Sequence, residues 1–334
     1  MRGLDLRIIS GANYNISMKK TIIGIETTCD DTGIGIWHKN AIVANEVISS
    51  LKQQQEYGGV VPEVAARAHE QNLLKAFDQA LARAKLSAAD ITHIAVANEP
   101  GLPGCLHVGK VFSKTLNMLL DVPLINVNHL YSHIFSAEIN HEKITYPALG
   151  LVVSGGHTAI YLVHSPSKIV LLDETLDDAI GEVYDKVGRL LGFSYPAGPK
   201  IDKMYNEQLA KKITFLKPAT KHKAFSYSGI KTAVTNYLHQ QKQKQLTVDV
   251  PAVASSFQYL IINDFIERVK HHLSANPNIQ TIALGGGVSA NSYLRKELQL
   301  LKRRVLLPEF EYTNDNGAMH AYYANKLLEE KEKH

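Results

Sequence analysis

From Lys20 onward, short apolar runs alternate with longer stretches of helical periodicity. Thr21 to Ile25 and Gly33 to Trp37 are runs of strand length that end at polar residues or glycine, and Ile91 to Ala97 is a third. Pro62 to about Ala84 reads as a helix: a proline is tolerated in the first turn, and Val64, Ala68, Leu73, Leu74 and Phe77 recur near helical spacing, which predicts a packed stripe. Ile125 to Ala137 reads as a short strand entering a helix, and Thr281 to Arg295 as an apolar strand, three glycines and a helix. Thr313 to Gly317 is a turn that opens a last helix from Ala318. Strands alternating with helices predict α/β architecture.

The pattern also repeats. GIETTCDDTGIGI from Gly24 and GLVVSGGHTAIYL from Gly150 are both strand-turn-strand segments, with a threonine eight residues after the glycine, Thr32 and Thr158. A duplicated hairpin offering backbone amides and hydroxyls at its turn is one way for a two-lobed fold to hold phosphates from both sides of a cleft. Chance is the other account of the echo. A boundary near Tyr146 and Pro147 puts one hairpin at the start of each lobe, 18–147 and 148–334, the last helix being free to pack back on the first lobe. Residues 1–17 mix Arg2, Asp5 and Arg7 with short apolar pieces and read as an N-terminal extension before Met18.

Composition narrows the class. A chain of 334 residues with 45% hydrophobic content, 36 Lys and Arg and 32 Asp and Glu is neither a disulfide scaffold nor disordered, and its length suggests two domains. Its two cysteines, Cys29 and Cys105, cannot make a disulfide framework or a four-thiolate zinc site, and no apolar run has the length of a membrane span. Both observations predict a soluble, cytoplasmic protein with no membrane association. The charge is uneven: Lys200 to Lys244 holds ten lysines (200, 203, 211, 212, 217, 221, 223, 231, 242 and 244) against Asp202 and Glu207. That +8 sits in a chain whose net charge is +4, so the remainder carries −4. The stretch fits either a polyanionic partner or a merely solvated surface.

Several segments carry chemistry. His129 and His133, four apart in a predicted helix, share one face and can either bind one metal ion or form a buried hydrogen-bonded pair. A zinc-protease reading lacks its general base, since Leu130 stands where HExxH has glutamate. In Ser154 to Thr158, SGGHT, two glycines after a strand allow amides to approach an anion, or form a plain hairpin turn. LGGGVSA at 284–290 matches a dinucleotide fingerprint formally, but no βαβ unit with an acidic ribose ligand follows it. Asp178, Glu182 and Asp185 share one side of a predicted helix, either solvated or available to ribose hydroxyls, and Asp315 is a helix cap or a ligand.

Nine ordered motifs resemble the tRNA N6-adenosine threonylcarbamoyltransferase family in its bacterial, TsaD-type form: GIETTCDDTG (24–33), GGVVPEVAARAH (58–69), PGLPGCLHVG (100–109), VNHLYSHI (127–134), VVSGGHT (152–158), DDAIGEVYDKVGRLLGFSYPAGPKID (177–202), FSYSGIKTAV (225–234), LGGGVSAN (284–291) and DNGAM (315–319). The resemblance implies an actin-like ATPase (ASKHA) fold, with two lobes, a duplicated βα core and an interlobe cleft. It implies transfer of the threonylcarbamoyl group of threonylcarbamoyl-AMP to the exocyclic amine of adenosine 37, in tRNAs reading ANN codons, with release of AMP. It assigns one divalent metal ion, Fe2+ or Zn2+, to His129, His133 and Asp315. Substrate and nucleotide contacts fall to Val152, Val153, Ser154, Gly155, Gly156, Asp185, Gly198, Asp202 and Asn291, with threonylcarbamoyl-AMP as donor and ATP or ADP as further adenine nucleotides. Implied partners are tRNA, a TsaB-like paralogue, a TsaE-like small ATPase and a separate threonylcarbamoyl-AMP synthase.

Proximity to the two hairpin turns makes Asp30 and His157 acid-base candidates. Four positions depart from the family pattern: Asp31 replaces glutamate, Glu99 glycine, Ala197 glycine and Asn314 threonine. The rivals are a small-molecule kinase of the same fold, which would need an aspartate base and no histidine pair, and a noncatalytic nucleotide-binding scaffold.

Overall fold

The computed structural model describes residues 20–215 and 226–333; the extension expected over 1–17, and Lys217, Lys221 and Lys223 of the basic stretch, lie outside them. Ten strands are described: β1 (Thr21–Glu26), β2 (Asp31–His38), β3 (Ala41–Ser49), β4 (His93–Glu99), β5 (Leu124–Asn128), β6 (Ala148–Val153), β7 (Thr158–Val163), β8 (Ile169–Glu174), β9 (Thr281–Gly285) and β10 (Arg304–Leu306). The helices are α1 (Leu51–Tyr57), α2 (Pro62–Ala84), α3 (Pro103–Leu120), α4 (His129–Ser136), α5 (Ile180–Leu190), α6 (Gly198–Met204), α7 (Ser228–Gln243), α8 (Val250–Ala275), α9 (Ser292–Gln299) and α10 (Gly317–Lys331).

The strands form two five-stranded sheets, ordered β3-β2-β1-β4-β5 and β10-β9-β6-β7-β8. Read from the hairpin side, the two orders are the same. β1 pairs antiparallel with β2 and parallel with β4, as β6 pairs with β7 and β9. The echo between Gly24 and Gly150 is therefore a duplicated topology. Its threonines do parallel work: the Thr32 hydroxyl is 2.8 Å from Nδ1 of His69 on α2, and the Thr158 hydroxyl accepts from the Ile180 amide of α5 at 2.9 Å.

Every residue of β1 and β6 is buried, because both faces of each sheet are covered. Alternate side chains then enter different cores. Ile23 and Ile25 pack with Leu73, Phe77 and Leu116 of α2 and α3, while Ile22 faces a middle layer with Ile134 and Phe135 of α4 and Tyr322 of α10. Leu149, Leu151 and Val153 face Val183, Val253 and Phe257 of α5 and α8, while Ala148 and Val152 face the middle. One expectation is corrected here. Leu74 is 61% exposed, since the buried stripe of α2 runs through Ala65, Ala68, Leu73, Ala76, Phe77 and Ala80 and leaves Leu74 beside it.

The middle layer positions the site, and two glycines let it sit close. A Cβ on Gly24 would stand 2.1 Å from the Gly317 carbonyl oxygen, and one on Gly285 2.1 Å from the His133 carbonyl oxygen. Bare backbone thus seats the start of α10 on β1 and α4 on the end of β9.

Candidate metal centre and ligand cleft

Asn128, at the end of β5, caps α4: its Oδ1 accepts from the amides of Leu130 at 2.9 Å and Tyr131 at 3.2 Å. This fixes the first turn, and with it His129 and His133, both buried. Asp315 arrives from the far end of the chain. Of its two expected roles, capping belongs instead to its neighbour Asn316, whose Oδ1 accepts from the Met319 amide at 3.0 Å. Asp315 turns to the histidines, its Oδ1 lying 3.0 Å from His133 Nε2 and 3.5 Å from His129 Nε2.

Two ligand atoms each about 2.1 Å from a tetrahedral ion stand roughly 3.4 Å apart. The observed spacings fall on either side of that value, and one ligand atom from each of His129, His133 and Asp315 lies within 4.8 Å of the others. Two imidazole nitrogens and one carboxylate suit zinc or ferrous iron and leave coordination positions open, so the donor set fits a resident divalent ion.

The charges are strongly coupled. Burial disfavours charge on Asp315, but His129 and then His133 hold its carboxyl below the ordinary range. Burial likewise opposes protonation of His129, and Glu26 and then Asp315 outweigh it, lifting this imidazole to about 9. His133 is lowered, chiefly by burial. His157 lies beside the pair: burial, then the charges of His129 and His133, push it down to about 4, which leaves it neutral at pH 7. On the other hairpin turn, burial and then the charge of Asp315 raise the Asp30 carboxyl. Both hairpin turns therefore flank the same cluster.

Val152 and Val153 are buried strand residues whose side chains serve the two cores, so only their backbone can face a ligand. In the turn that follows, the Ser154 amide donates to the His157 carbonyl at 2.8 Å and the His157 amide to Ser154 Oγ at 3.0 Å. The amides at both ends of the expected phosphate cradle are thus spent on the turn itself. Gly155 and Gly156 are exposed, and no group of the described residues engages their amides.

The acidic stretch divides. Asp178 precedes α5 instead of lying on it, and it pairs with Lys186 at 2.8 Å and Lys231 at 3.6 Å; Glu182 also pairs with Lys186. The expected single face of Asp178, Glu182 and Asp185 is corrected accordingly. Asp185 Oδ1 accepts from the Ala197 amide at 2.7 Å and so holds the start of α6, where Gly198 stands. Asp202 accepts from the Ser292 amide at 3.0 Å and from Gln258 Nε2 at 2.9 Å, while Asn291 caps α9 and donates to Gln258 Oε1 at 3.0 Å. Gln258 thus joins Asp202 to Asn291. Next to Asp185, a cleft of about 400 Å³ separates α1 from the end of α5, lined by Gln55, Tyr57, Arg189, Phe193 and Tyr195. Gln55 Nε2 donates across it to the Tyr195 carbonyl at 2.9 Å, and Arg189 to the Gly58 carbonyl.

Two family departures have structural answers. Ala197 has φ −92°, so the position does not use the left-handed conformation that glycine would have supplied. Asp31 is half-buried at the start of β2, its Oδ1 covered and unpartnered among the described residues. Burial foremost, with opposition from a Ser49 hydrogen bond, raises its carboxyl to about 7.

Sequence reasoning missed Glu26, His320 and Gln258. The available signals were a carboxylate ending an otherwise apolar strand and polar side chains inside apolar helices, at Glu26, His320 and Gln258. In the basic stretch, Lys212 pairs with Asp249 at 2.8 Å and Lys211 lies 5.2 Å from the Tyr259 ring centre. Among the described residues, no helix is long and apolar enough to cross a membrane.

A family model described as TsaD: tRNA N6-adenosine threonylcarbamoyltransferase matches residues 41–322. The tRNA N6-adenosine threonylcarbamoyltransferase of Mycoplasmoides gallisepticum is 53% identical over 319 residues, covering 93% of this chain and 99% of that protein. The protein of the same name from Mycoplasma pneumoniae is 51% identical over 313 residues, covering 92% and 97%. Among solved structures, full-length HypF in its phosphate- and nucleotide-bound form superposes with a TM-score of 0.62 at 14% identity, covering 93% of this chain and 47% of that one. The Acidaminococcus fermentans (R)-2-hydroxyglutaryl-CoA dehydratase component A gives 0.53 at 15% identity, covering 92% and 99%. At such identities these structures speak to the fold alone, which is the actin-like ATPase type.

Proposed function

The chain belongs to the tRNA N6-adenosine threonylcarbamoyltransferase family and is a transferase, and on that premise we propose that it moves threonylcarbamoyl from threonylcarbamoyl-AMP to N6 of adenosine 37 in tRNAs reading ANN codons. The observation that carries this reading is the convergence of His129, His133 and Asp315 between two hairpin turns, at the end of a middle layer shared by both lobes. The lobes are taken as 18–147 and 148–334, with α10 returning to the first sheet.

In the reaction, the N6 amine attacks the carbamoyl carbon, a C–N bond forms, the bond to the phosphate oxygen breaks, and AMP leaves with its electron pair. No covalent enzyme intermediate is needed. The exposed Gly155 and Gly156 are assigned to bind the departing phosphate through their amides, which would stabilise charge where it develops. Burial, with the charge of Asp315, raises the Asp30 carboxyl, which strengthens it as a candidate for accepting the amine proton. His157, neutral at pH 7, is a weaker base than an ordinary imidazole and a candidate hydrogen-bonding group. Asp185, Gly198, Asp202 and Asn291 are the residues assigned to the adenine nucleotide, a reading supported by the hydrogen bonds of Gln258 to both Asp202 and Asn291. His129, His133 and Asp315 would hold the divalent ion, zinc or iron, which when bound supplies a Lewis acid for the donor's oxygens.

The family supports tRNA as partner and the cytoplasm as the place of reaction. A TsaB-like paralogue, a TsaE-like ATPase and a separate donor synthase are proposed on the family resemblance alone. The test is nucleoside analysis of tRNA after depletion of this protein, with wild type or His129→Ala, His133→Ala protein restored. Threonylcarbamoyladenosine should vanish on depletion and return only with wild type; undiminished nucleoside after depletion would refute the reading.

A further inference from the structure

Glu26 is a carboxylate with no accessible surface, and the reaction just described gives it no task. Burying an ionised carboxylate costs several kcal/mol unless hydrogen bonds and opposite charge surround it. Here they do: Oε2 lies 2.9 Å from His129 Nδ1 and 2.5 Å from His320 Nε2, and Oε1 accepts from the Thr28 amide. His320 is itself held, with Nδ1 2.8 Å from the Ser132 hydroxyl, which lies 3.0 Å from the Asn128 carbonyl. An unbroken polar chain thus runs from the cap of α4, through α10, to the end of β1 and back to the first residue of α4.

Glu26, His129 and His320 could instead be read as a second metal group, since one ligand atom from each lies within 4.8 Å of the others. The spacing decides against it. The 2.5 Å contact between Glu26 and His320 falls almost 1 Å short of the roughly 3.4 Å that ligand atoms keep across a tetrahedral ion, a value that the 3.0 and 3.5 Å spacings around Asp315 bracket. A carboxylate only accepts, so the proton belongs to His129 Nδ1, and the nitrogen left for a metal is Nε2, the one that faces Asp315.

We propose that Glu26, braced by His320, is the positioning residue of the metal centre: it accepts the Nδ1 proton of His129, fixes that ring's tautomer and rotation, and so presents Nε2 to the ion beside His133 and Asp315. A carboxylate on the far nitrogen also makes the imidazole a stronger ligand. The proposal rests on the metal reading above. It applies to one ring only, because Nδ1 of His133 has no hydrogen-bond partner among the described residues.

Glu26→Gln is the informative variant. Three donors converge on Glu26, and glutamine offers one accepting oxygen and aims an NH2 group at a donor. The full chain, stripped of metal, should bind Zn2+ about 10- to 100-fold more weakly as Glu26→Gln in competition with a chromophoric chelator. Its Co2+ complex should show displaced ligand-field bands. In zinc-loaded wild type, long-range 1H–15N correlation of labelled histidines should report His129 protonated at Nδ1. This last measurement decides the matter alone where Glu26→Gln does not fold. Equal Zn2+ affinity with an unchanged Co2+ spectrum, or a His129 ring without a proton on Nδ1, overturns the proposal. Wild type binding Zn2+ no better than His129→Ala, His133→Ala would instead refute the metal reading, and this inference with it.

Discussion

Replacing Gly24 by alanine adds one methyl group and alters no proposed ligand, yet it should damage the metal centre. The new Cβ would stand 2.1 Å from the Gly317 carbonyl oxygen and 2.5 Å from the Ala321 amide, both backbone atoms of α10. A flexible side chain could swing away from such a contact, but a helix backbone has to move as a unit. The separation must grow by about 0.9 Å to reach the 3.0 Å that Cβ atoms keep from other heavy atoms. β1 is hydrogen-bonded on both sides, to β2 and β4, so α10 is the element that yields. Asp315 lies two residues before α10, and His320 lies within it. Metal-ligand distances tolerate about 0.2 Å, several times less than this displacement. Overpacking of this kind costs about 1–3 kcal/mol, and a misplacement near 1 Å costs about 100-fold in rate. Gly24→Ala should therefore remain folded, lose about 1–3 kcal/mol in urea unfolding of the metal-free protein, and lose Zn2+ affinity and tRNA modification together. Gly155→Ala is the control, since its Cβ meets nothing within 4 Å and its unfolding should be unchanged. Wild-type stability and Zn2+ affinity in Gly24→Ala would refute the claim that bare backbone contact between β1 and α10 sets the site.

Two further perturbations test the surroundings. The Asp31 carboxyl is raised from its ordinary 3.8 to about 7, so between those values the folded protein keeps a proton that the unfolded chain releases. Its contribution to stability is fully present below pH 3.8 and is lost as pH rises to 7, so Asp31→Asn should gain on wild type across that window in urea midpoints; a difference independent of pH would contradict the assignment. Changing Lys211, Lys212, Lys221 and Lys223 to glutamate should weaken tRNA binding and flatten its dependence on salt, from a log-log slope of roughly −3 if four phosphates are neutralised. An unchanged affinity and slope would make these lysines a solubilising surface.

Local features were legible because consecutive residues write them. β1, β6 and α2 show as apolar runs or stripes, the duplicated hairpin as a repeated pattern, and the histidine pair as a spacing of four inside one helix. Even there the helical stripe misplaced Leu74, because which side of a helix is covered depends on what packs against it. The motifs also carried enough family resemblance to assign Asp315 to the histidines. Other assignments needed the tertiary fold. Whether Asp315 or Asn316 caps α10 turns on a rotation of one residue, and only packing against α4 sets it. Ser154 and His157 look like free phosphate donors until their amides are seen closing their own turn. Glu26 meets His129 across 103 positions and His320 across 294, and Gln258 joins Asp202 to Asn291. Periodicity records whether a side chain is buried, but not which distant strand end or helix face it is buried against. That is decided when glycines such as Gly24 and Gly285 let two helices settle on two sheets closely enough for their polar groups to meet.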